Sequence, residues 1–294
     1  MKVRIGVGTG GSLGVNELGE VVSGLDELGF DSLWLSEVLT APVLDPLVGL
    51  TWAAARASKL KLGTTMLLPG RNPVRLAKSL ASLDLLSGGR LLVTLVPGLA
   101  TRPERDAIGV PPNQRSALIE EVVPLLRRLW AGETVSHHGA AASFDDVVLA
   151  PLPAQQPLEV WMGGMVPRTL DMCGRLADGW LPALCTPDEA AAGRKLIDEA
   201  AERAGRAISP EHFGVSLGYA RQPLDERART ALSIRSRGHD PAELVPVGMD
   251  GLRRLIERFL EVGFSKFVVR PLAPPPSWRA ELEDLAAGVT DLQT

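Results

Sequence analysis

The sequence predicts an α/β fold, a closed (β/α)8 or TIM barrel with a small hairpin insertion. The first observation is a strand, a helix and a second strand in succession between Gly63 and Gly98. Both strands are continuous apolar runs, Leu62 to Leu68 and Leu91 to Val96, and the intervening segment has helical spacing. Parallel strands that are apolar throughout must be covered on both faces, so the rest of the chain should repeat this unit.

The second observation is an internal repeat. Leu28 to Leu35 reads LGFDSLWL, and Val262 to Val269 reads VGFSKFVV. Each stretch follows an amphipathic helix that a glycine ends, and each leads through phenylalanine into a strand. A helix, glycine and strand unit near both ends of the chain is typical of a closed barrel.

The third observation is the number of apolar runs, which predict eight strands. These are Val3 to Val7, Ser32 to Leu35, Leu62 to Leu68, Leu91 to Val96, Leu158 to Met162, Gly179 to Leu181, Phe213 to Tyr219 and Phe267 to Val269. The predicted helices begin after Asn16 as an N-cap and then cover Asp45 to Ala57, the segment between Pro73 and Ser87, Gln114 to Trp130, Arg168 to Leu176, Asp188 to Ala204, Leu252 to Leu260 and a last stretch after Pro274 to Pro276. Thr134 to Leu149 predicts a hairpin outside the barrel, and we expect one domain over residues 1–294.

Composition excludes several classes of function. The 294 residues are 45% hydrophobic and 22% charged, with a net charge of -4, and the arginines are scattered, so we expect no nucleic-acid partner. The start of the chain does not resemble a signal peptide, and no apolar stretch reaches membrane-spanning length, so we expect a cytoplasmic protein without a membrane partner. Cys173 and Cys185 favour two reduced, packed thiols over a disulfide or a metal pair, and no metal site is expected.

Active sites of such barrels lie at the C-terminal ends of the strands. Six arginines fall in the predicted strand-to-helix loops: Arg71, Arg102, Arg105, Arg168, Arg221 and Arg270. Guanidinium groups bind phosphate or carboxylate bidentately. This set therefore favours an anionic ligand at the opening formed by the C-terminal ends of the strands, which we call the mouth of the barrel. The alternative is that they are ordinary surface arginines.

The glycine pair Gly163-Gly164 follows a predicted buried strand and precedes a helix. Two glycines allow a ligand to approach the backbone closely, and Pro167 suits the first turn of the helix, whose N–H groups could bind phosphate. The alternative is a purely structural turn.

Five segments, in this order, resemble the motifs of the luciferase-like monooxygenase superfamily, in particular its coenzyme F420-dependent branch. They are GFDSLWLSE, LGTTMLLPGRNPVRLAKSLASLDLLSGGRLLV, RRLWAGETV, PLEVWMGG and LADGWLPA, and the match runs from about residue 3 to 182. The resemblance implies a luciferase-like (β/α)8 barrel, usually a homodimer, that binds F420 or a flavin such as FMN in its mouth.

The resemblance also implies which residues contact the cofactor. A non-proline cis peptide bond, matching Thr65-Met66, would bulge toward the mouth and back the tricyclic ring; such a bond costs about 3–4 kcal/mol and persists only where the fold enforces it. Pro97-Gly98 would lie near the ribityl chain, and Gly163-Gly164 near the phosphate. The implied set is Ser36, Thr65, Met66, Pro97, Gly98, Gly163, Gly164, Met165, Pro167 and Arg168.

The sequence departs from the family where the chemistry should lie. Val38 stands where many members have histidine, and Pro42 and Leu99 replace the tryptophan and glutamate of alcohol-oxidising relatives. Glu37, the carboxylate retained there, and Tyr219, the only tyrosine, are the candidate catalytic proton donors; Glu37 is alternatively a structural hydrogen-bond acceptor. The residues assigned to the substrate pocket are Val38, Leu99 and Arg270.

Three functions remain open. The first is an oxidoreductase that transfers hydride between F420 and a small organic substrate, and the missing alcohol-oxidising groups favour reduction of an activated double bond or carbonyl. The second is an FMN-dependent monooxygenase that uses O2 and a separate flavin reductase as its partner. The third is a barrel that binds a flavin or another ligand without turnover.

Overall fold

The computed structural model describes residues 1–11, 13–99, 101–234 and 236–294. Eight of its strands form one parallel sheet, and β5 and β6 form a separate antiparallel pair. The strands are β1 (Arg4–Gly8), β2 (Ser32–Ser36), β3 (Lys61–Leu67), β4 (Leu91–Val96), β5 (Val135–His138), β6 (Ser143–Val147), β7 (Val160–Met162), β8 (Gly179–Trp180), β9 (Gly214–Tyr219) and β10 (Lys266–Pro271).

The sheet runs in the order β8-β7-β4-β3-β2-β1-β10-β9, and its two edges meet. Parallel bridges join Trp180 to Phe213 and Ala183 to Ser216, and the Ser216 N–H donates to the Pro182 carbonyl at 2.8 Å. These contacts close the barrel, so the predicted fold is confirmed. The hairpin of β5 and β6 lies outside this sheet, also as predicted.

Helices connect the strands, and the longer ones cover the outer face of the sheet. They are α1 (Val15–Glu27), α2 (Pro46–Ala54), α3 (Pro73–Ser87), α4 (Arg102–Ile108), α5 (Pro112–Trp130), α6 (Pro167–Leu176), α7 (Pro187–Arg203), α8 (Glu226–Ser233), α9 (Pro241–Leu244), α10 (Gly248–Glu261) and α11 (Trp278–Val289). The sequence did not reveal α4, α8 and α9, which have 7, 8 and 4 residues and are too short for a clear apolar periodicity.

Local capping explains several helix starts. Asp45 accepts hydrogen bonds from the Leu47 and Val48 N–H groups, and Asn72 accepts one from Arg75 N–H at 3.1 Å. The prediction that Asn16 caps the first helix was wrong. Gly14 is the N-cap, because Glu17 reaches back and accepts from the Gly14 N–H at 2.7 Å.

The internal repeat has one geometric cause. Gly29 and Gly263 have φ values of 76° and 85°, in the left-handed region that favours glycine. After them, the Phe30 N–H donates to the Leu25 carbonyl and the Phe264 N–H to the Phe259 carbonyl, both at 3.0 Å. Both helices therefore end in the same way and direct the chain into a barrel strand.

The barrel interior is a separate apolar cluster, formed by Trp34, Trp161, Leu181 and Val268 with Leu92 packed against them. Glycines make room for the two indoles. A Cβ at Gly63 would lie 2.2 Å from a Trp34 ring carbon, and one at Gly179 would lie 2.4 Å from a Trp161 ring carbon. The larger core fills the layer between the sheet and the helices.

The two cysteines behave as predicted. Cys173 and Cys185 are both buried and free. The described residues hold no group of three or more His, Cys, Asp or Glu side chains that could bind a metal ion. Within the same residues, no helix has both the length and the apolar character needed to cross a membrane.

Candidate active site

The Gly163-Gly164 turn connects β7 to α6 at the barrel mouth. Gly164 has a φ of 109°, and its carbonyl accepts from the Trp180 indole N–H at 3.0 Å. A Cβ at this position would lie 3.0 Å from Cγ2 of Thr169 in the first turn of α6. Pro167 is the first residue of α6, as predicted, and Val166 at the N-cap has no polar side chain to cap it. The turn therefore places the backbone of two residues without side chains next to a helix N-terminus. This arrangement suits an anion.

The predicted cis peptide bond is not present. The cis bonds of the described residues precede Pro151 and Pro157, so Thr65-Met66 is trans. The predicted bulge is also wrong, because β3 pairs continuously with β4, with Thr65 opposite Thr94 and Met66 opposite Leu95. A regular ladder satisfies the backbone, so nothing offsets the cost of a cis bond, about 3–4 kcal/mol. The expected cis bond was the main structural reason for preferring F420 over FMN, and that reason is thereby removed.

A row of three hydroxyl side chains crosses the interior face below the mouth. Ser36 pairs with Thr65, and Thr65 pairs with Thr94, in the register of β2, β3 and β4. The Thr94 side chain is 0% exposed, and its Oγ1 has no hydrogen-bond partner among the described residues. Thr94 is inaccessible, whereas Ser36 and Thr65 are partly exposed, so the latter two hydroxyls are the ones able to meet the polar edge of a ligand. Ser36 and Thr65 were predicted from the sequence, and Thr94 was not.

Alternation along β3 changes the role of Met66. Thr65 shares the inward face with Gly63, whereas Met66 is 0% exposed within the outer core. The Met66 side chain therefore cannot contact a ligand in the mouth, and only its backbone remains near it. Met165 is partly buried and packs against the same outer core.

Glu37 links the end of β2 to the end of β3 through a hydrogen bond and an ion pair. Its Oε2 accepts from the Leu67 N–H at 2.8 Å, and its Oε1 forms an ion pair with Nη2 of Arg71. Arg71 Nε in turn donates to the Leu67 carbonyl at 3.0 Å. Both oxygens of this buried carboxylate are engaged, which favours the structural alternative over a proton donor.

Two buried charged residues that the sequence analysis missed shape the neighbouring loops. Glu104 of α4 accepts from the Leu39 and Thr40 N–H groups at 2.9 and 3.1 Å, which holds the loop containing Val38. Arg115 of α5 donates through Nη1 to the Pro97 and Leu99 carbonyls at 3.2 and 2.9 Å. Both side chains are only 2% exposed. No local sequence pattern marks them, because their partners come from distant strand ends.

The same contacts place the residues of the implied site around the mouth. Gly98, with a φ of 83°, lies in the loop that Arg115 holds, and a Cβ there would lie 2.6 Å from Ile108. Pro97 and Leu99 flank it, and all three are partly buried. Val38 lies in the neighbouring loop. The mouth is therefore lined in part by apolar side chains that cannot transfer protons.

The arginines do not form an open anion clamp. Five of them contact carboxylates: Arg71 with Glu37, Arg102 and Arg105 with Asp106, Arg168 with Glu120, and Arg221 with Glu281 and Asp284. Arg102 is also 85% exposed. The clamp interpretation is therefore wrong for these residues, because neighbouring carboxylates already compensate their charge. Arg270 lies on β10, where its Cβ would be 3.5 Å from a side chain at Gly8, so it faces the barrel interior.

Tyr219 faces away from the interior. It is 0% exposed in the outer core, and its hydroxyl donates to Oε1 of Glu281 on α11. Arg221 Nε contacts both oxygens of Glu281, at 3.1 and 3.0 Å. Burial and then the hydrogen bond to Glu281 raise the pKa of Tyr219. The geometry does not support a proton donor here, because Gly218 takes the inward position on β9 and Tyr219 the outward one.

The fold agrees with solved structures. An F420-dependent secondary alcohol dehydrogenase in complex with an F420-acetone adduct superposes with a TM-score of 0.83, at 19% identity, covering 100% of both chains. At this identity the likeness concerns the fold alone.

Sequence comparisons are more specific. An uncharacterized protein of Mycobacterium bovis is 34% identical over 172 residues, 57% of this chain and 60% of that protein, so the match spans less than two thirds of its length. An F420-dependent glucose-6-phosphate dehydrogenase of Kineococcus radiotolerans is 29% identical over 74% of this chain and 71% of its own. An FMNH(2)-dependent dimethylsulfone monooxygenase of Pseudomonas putida is 31% identical over 64% and 52%. The family model for luciferase-like monooxygenase matches residues 1–254. The chain therefore belongs to the luciferase-like monooxygenase family.

Proposed function

We propose that this chain is an oxidoreductase that transfers hydride between coenzyme F420 and a small organic substrate. The observation that carries the proposal is the Gly163-Gly164 turn, where a φ of 109° and a first-turn contact require glycine in front of the α6 N-terminus. Such a turn accepts a phosphate group. The F420-dependent relative aligns over 74% of this chain and the FMNH(2)-dependent one over 64%, which supports F420 as the first candidate.

The chain's own groups fit a phosphorylated tricyclic cofactor. The Gly164 backbone and the Arg168 N–H at the start of α6 would hold the phosphate. Pro167 has no N–H, and the Thr169 N–H already donates to the Val166 carbonyl at 2.8 Å. The partly exposed hydroxyls of Ser36 and Thr65 would offer hydrogen bonds to polar atoms of the cofactor. When bound, the deazaflavin supplies a carbon, C5, that donates or accepts hydride. The protein would position the substrate beside it.

The mouth favours reduction over alcohol oxidation. Alcohol oxidation needs a group that accepts the hydroxyl proton. Val38 and Leu99 are apolar, and both oxygens of Glu37 are already bound to Leu67 and Arg71. Reduction of an activated double bond or carbonyl places less demand on these residues, because a solvent proton completes it.

An FMN-dependent monooxygenase is the second candidate. The relative from Pseudomonas putida supports it, and because the Thr65-Met66 bond is trans, that bond gives no preference for F420 over FMN. This function would need O2 and a separate reductase that supplies reduced flavin.

A second copy of the chain is the proposed protein partner. Leu44 immediately precedes the N-cap of α2 and Val48 lies in its first turn, and they are 37% and 68% exposed. Exposed apolar side chains at the start of a helix suit an interface between subunits.

Titration with F420 and with FMN, each followed by quenching of cofactor fluorescence, tests the proposal. We expect F420 to bind at least tenfold more tightly, and reduced F420 to be consumed with an enone or activated ketone as acceptor. Tighter binding of FMN, with substrate-dependent O2 consumption, would establish the second candidate. Binding of either cofactor without turnover against a broad acceptor panel would favour the non-catalytic barrel, and binding of neither would end the proposal.

A further inference from the structure

A cavity of about 240 Å³ lies at the end of the barrel opposite the mouth. Arg4, Ser32, Lys61 and Lys266, the first residues of β1, β2, β3 and β10, contribute to its lining. Parallel strands begin at one end of a barrel, so this cavity is separate from the proposed cofactor site at the strand ends.

The inner wall of the cavity is apolar. Trp34, Trp161, Leu92, Leu181 and Val268, the cluster that fills the barrel interior, all line it. The two indole N–H groups are satisfied nearby, that of Trp34 by the Ser32 hydroxyl at 2.9 Å and that of Trp161 by Glu159 at 3.3 Å. The indole rings therefore offer apolar surface to an occupant without leaving polar groups unpaired.

The outer rim is predominantly cationic. Arg4, Lys61, Arg90 and Lys266 line it, against the carboxylates of Asp31 and Glu159. Asp31 is shared between two cations, at 3.4 Å from Arg4 and 3.2 Å from Lys61. Lys266 Nζ donates to the Lys2 carbonyl at 2.7 Å, a neutral acceptor. Arg90 donates to the Leu60 and Ala54 carbonyls, and the carboxylate of Glu211 lies near Lys266. The lining itself holds four cations against two carboxylates, and this excess, offset in part by Glu211, complements a single anionic group.

We propose that this cavity binds a small aromatic carboxylate. The aromatic ring would lie against Trp34 and Trp161, where edge and face contacts between rings are favourable. The carboxylate would lie at the rim near Lys61 and Lys266, where charge-assisted hydrogen bonds are strong. The volume is just below the usual range for ligand sites, about 300–1,000 Å³, and so limits the occupant to one or two rings. The assignment does not depend on which cofactor occupies the mouth.

Benzoate is the test ligand, with benzyl alcohol as its neutral counterpart. Isothermal titration should give a dissociation constant at least tenfold lower for benzoate. In ¹⁵N-labelled protein, benzoate should shift the indole signals of Trp34 and Trp161 and leave those of Trp52 and Trp278 unchanged. Equal affinities for the two probes, shifts outside the cavity, or no binding would overturn the proposal and leave the cavity to water.

Variants locate the two halves of the site. Lys61→Gln combined with Lys266→Gln should weaken benzoate at least tenfold, whereas Lys195→Gln on the exposed face of α7 should not. Val268→Phe should abolish binding by filling the cavity, with Val148→Phe, at a position that is 57% exposed, as its volume control. If Val268→Phe does not fold, the lysine pair decides alone. The affinity for the cofactor at the mouth should be unchanged in every folded variant, so failure here leaves the proposed function unaffected.

Discussion

At the scale of single residues, Gly164 gives the sharpest prediction. A valine would oppose the φ of 109° and bring its Cβ to 3.0 Å from Thr169. Gly164→Val should therefore remove close N–H contacts to the cofactor phosphate and lower cofactor affinity at least tenfold, about 1.4 kcal/mol. Fluorescence titration of wild type and variant measures this change.

A second glycine variant separates the effect of backbone strain from the effect of lost phosphate contacts. Gly205, after α7, has a φ of 69°, and a Cβ there would meet nothing within 4 Å. Gly205→Val should lose stability by about 1–3 kcal/mol from the same kind of strain, with cofactor affinity retained. If both variants bind as wild type, the glycine pair is only a turn, and the anion site must be sought near Arg270.

Tyr219 provides a second test at this scale. Its hydroxyl is buried against Glu281, so Tyr219→Phe should lower the free energy of unfolding by about 1–3 kcal/mol and leave kcat unchanged. Urea unfolding and steady-state kinetics measure the two effects. A tenfold loss of kcat with normal stability would instead restore Tyr219 as a proton donor. Glu281→Gln should be the more destabilising change, because it also leaves Arg221 without its buried partner.

At the scale of elements, Glu121 of α5 holds the hairpin of β5 and β6. It accepts from the Ala140 and Ala141 N–H groups at 3.2 and 2.9 Å and contacts His137 Nε2 at 2.7 Å. Burial alone would raise the pKa of Glu121, but the hydrogen bonds from Ala141 and His137 lower it overall. The contribution of this carboxylate to stability is therefore present above its ordinary pKa of 4.5 and is lost as the pH falls through the lower folded value.

We expect Glu121→Gln to loosen the hairpin without unfolding the barrel. Hydrogen–deuterium exchange at pH 7 should be faster in residues 135–147 and unchanged in β3 and β4. Asp145→Asn, in an exposed pair with His138, is the control and should have little effect. Unaltered exchange in Glu121→Gln would show that strand pairing alone holds the hairpin.

At the scale of the whole molecule, the buried thiols predict a loss of folding stability at alkaline pH. Burial raises the pKa of Cys185 to about 12 and also raises that of Cys173, from an ordinary value of 9.0. The pKa of each thiol is therefore higher in the folded chain than in the unfolded chain. The stabilisation that results is complete below pH 9 and is lost as the pH rises toward 12. The free energy of unfolding should fall by up to about 1.4 kcal/mol per pH unit for each thiol.

Urea unfolding at pH 7, 9 and 10.5 measures this loss, and the double variant Cys173→Ser, Cys185→Ser should show a shallower dependence. At pH 8 a thiol reagent should label neither cysteine until the chain unfolds. Rapid labelling of the native protein would show that the thiols are accessible and would remove the basis of this prediction.

Residues that are close together in the sequence were enough to predict the repeating strand–helix unit and the ends of two helices. Continuous apolar runs marked the strands, and Gly29 and Gly263 marked the C-terminal ends of two helices, because a left-handed turn depends on residues within a few positions. The ordered motifs also indicated the family, and the Gly163-Gly164 turn was predicted from its place between a strand and a helix.

Contacts between side chains that are distant in the sequence could be seen only in the folded chain. Glu37 and Arg71 are 34 residues apart, and Tyr219 and Glu281 are 62 apart, so no local pattern could pair them. Strand alternation placed Met66 and Tyr219 on the outer face, where a shift of one residue would reverse their direction. The Thr94 hydroxyl and the cavity between Trp34 and Trp161 likewise arise from the register of neighbouring strands. Closure of the barrel fixes that register, because it brings together chain segments that are distant in the sequence.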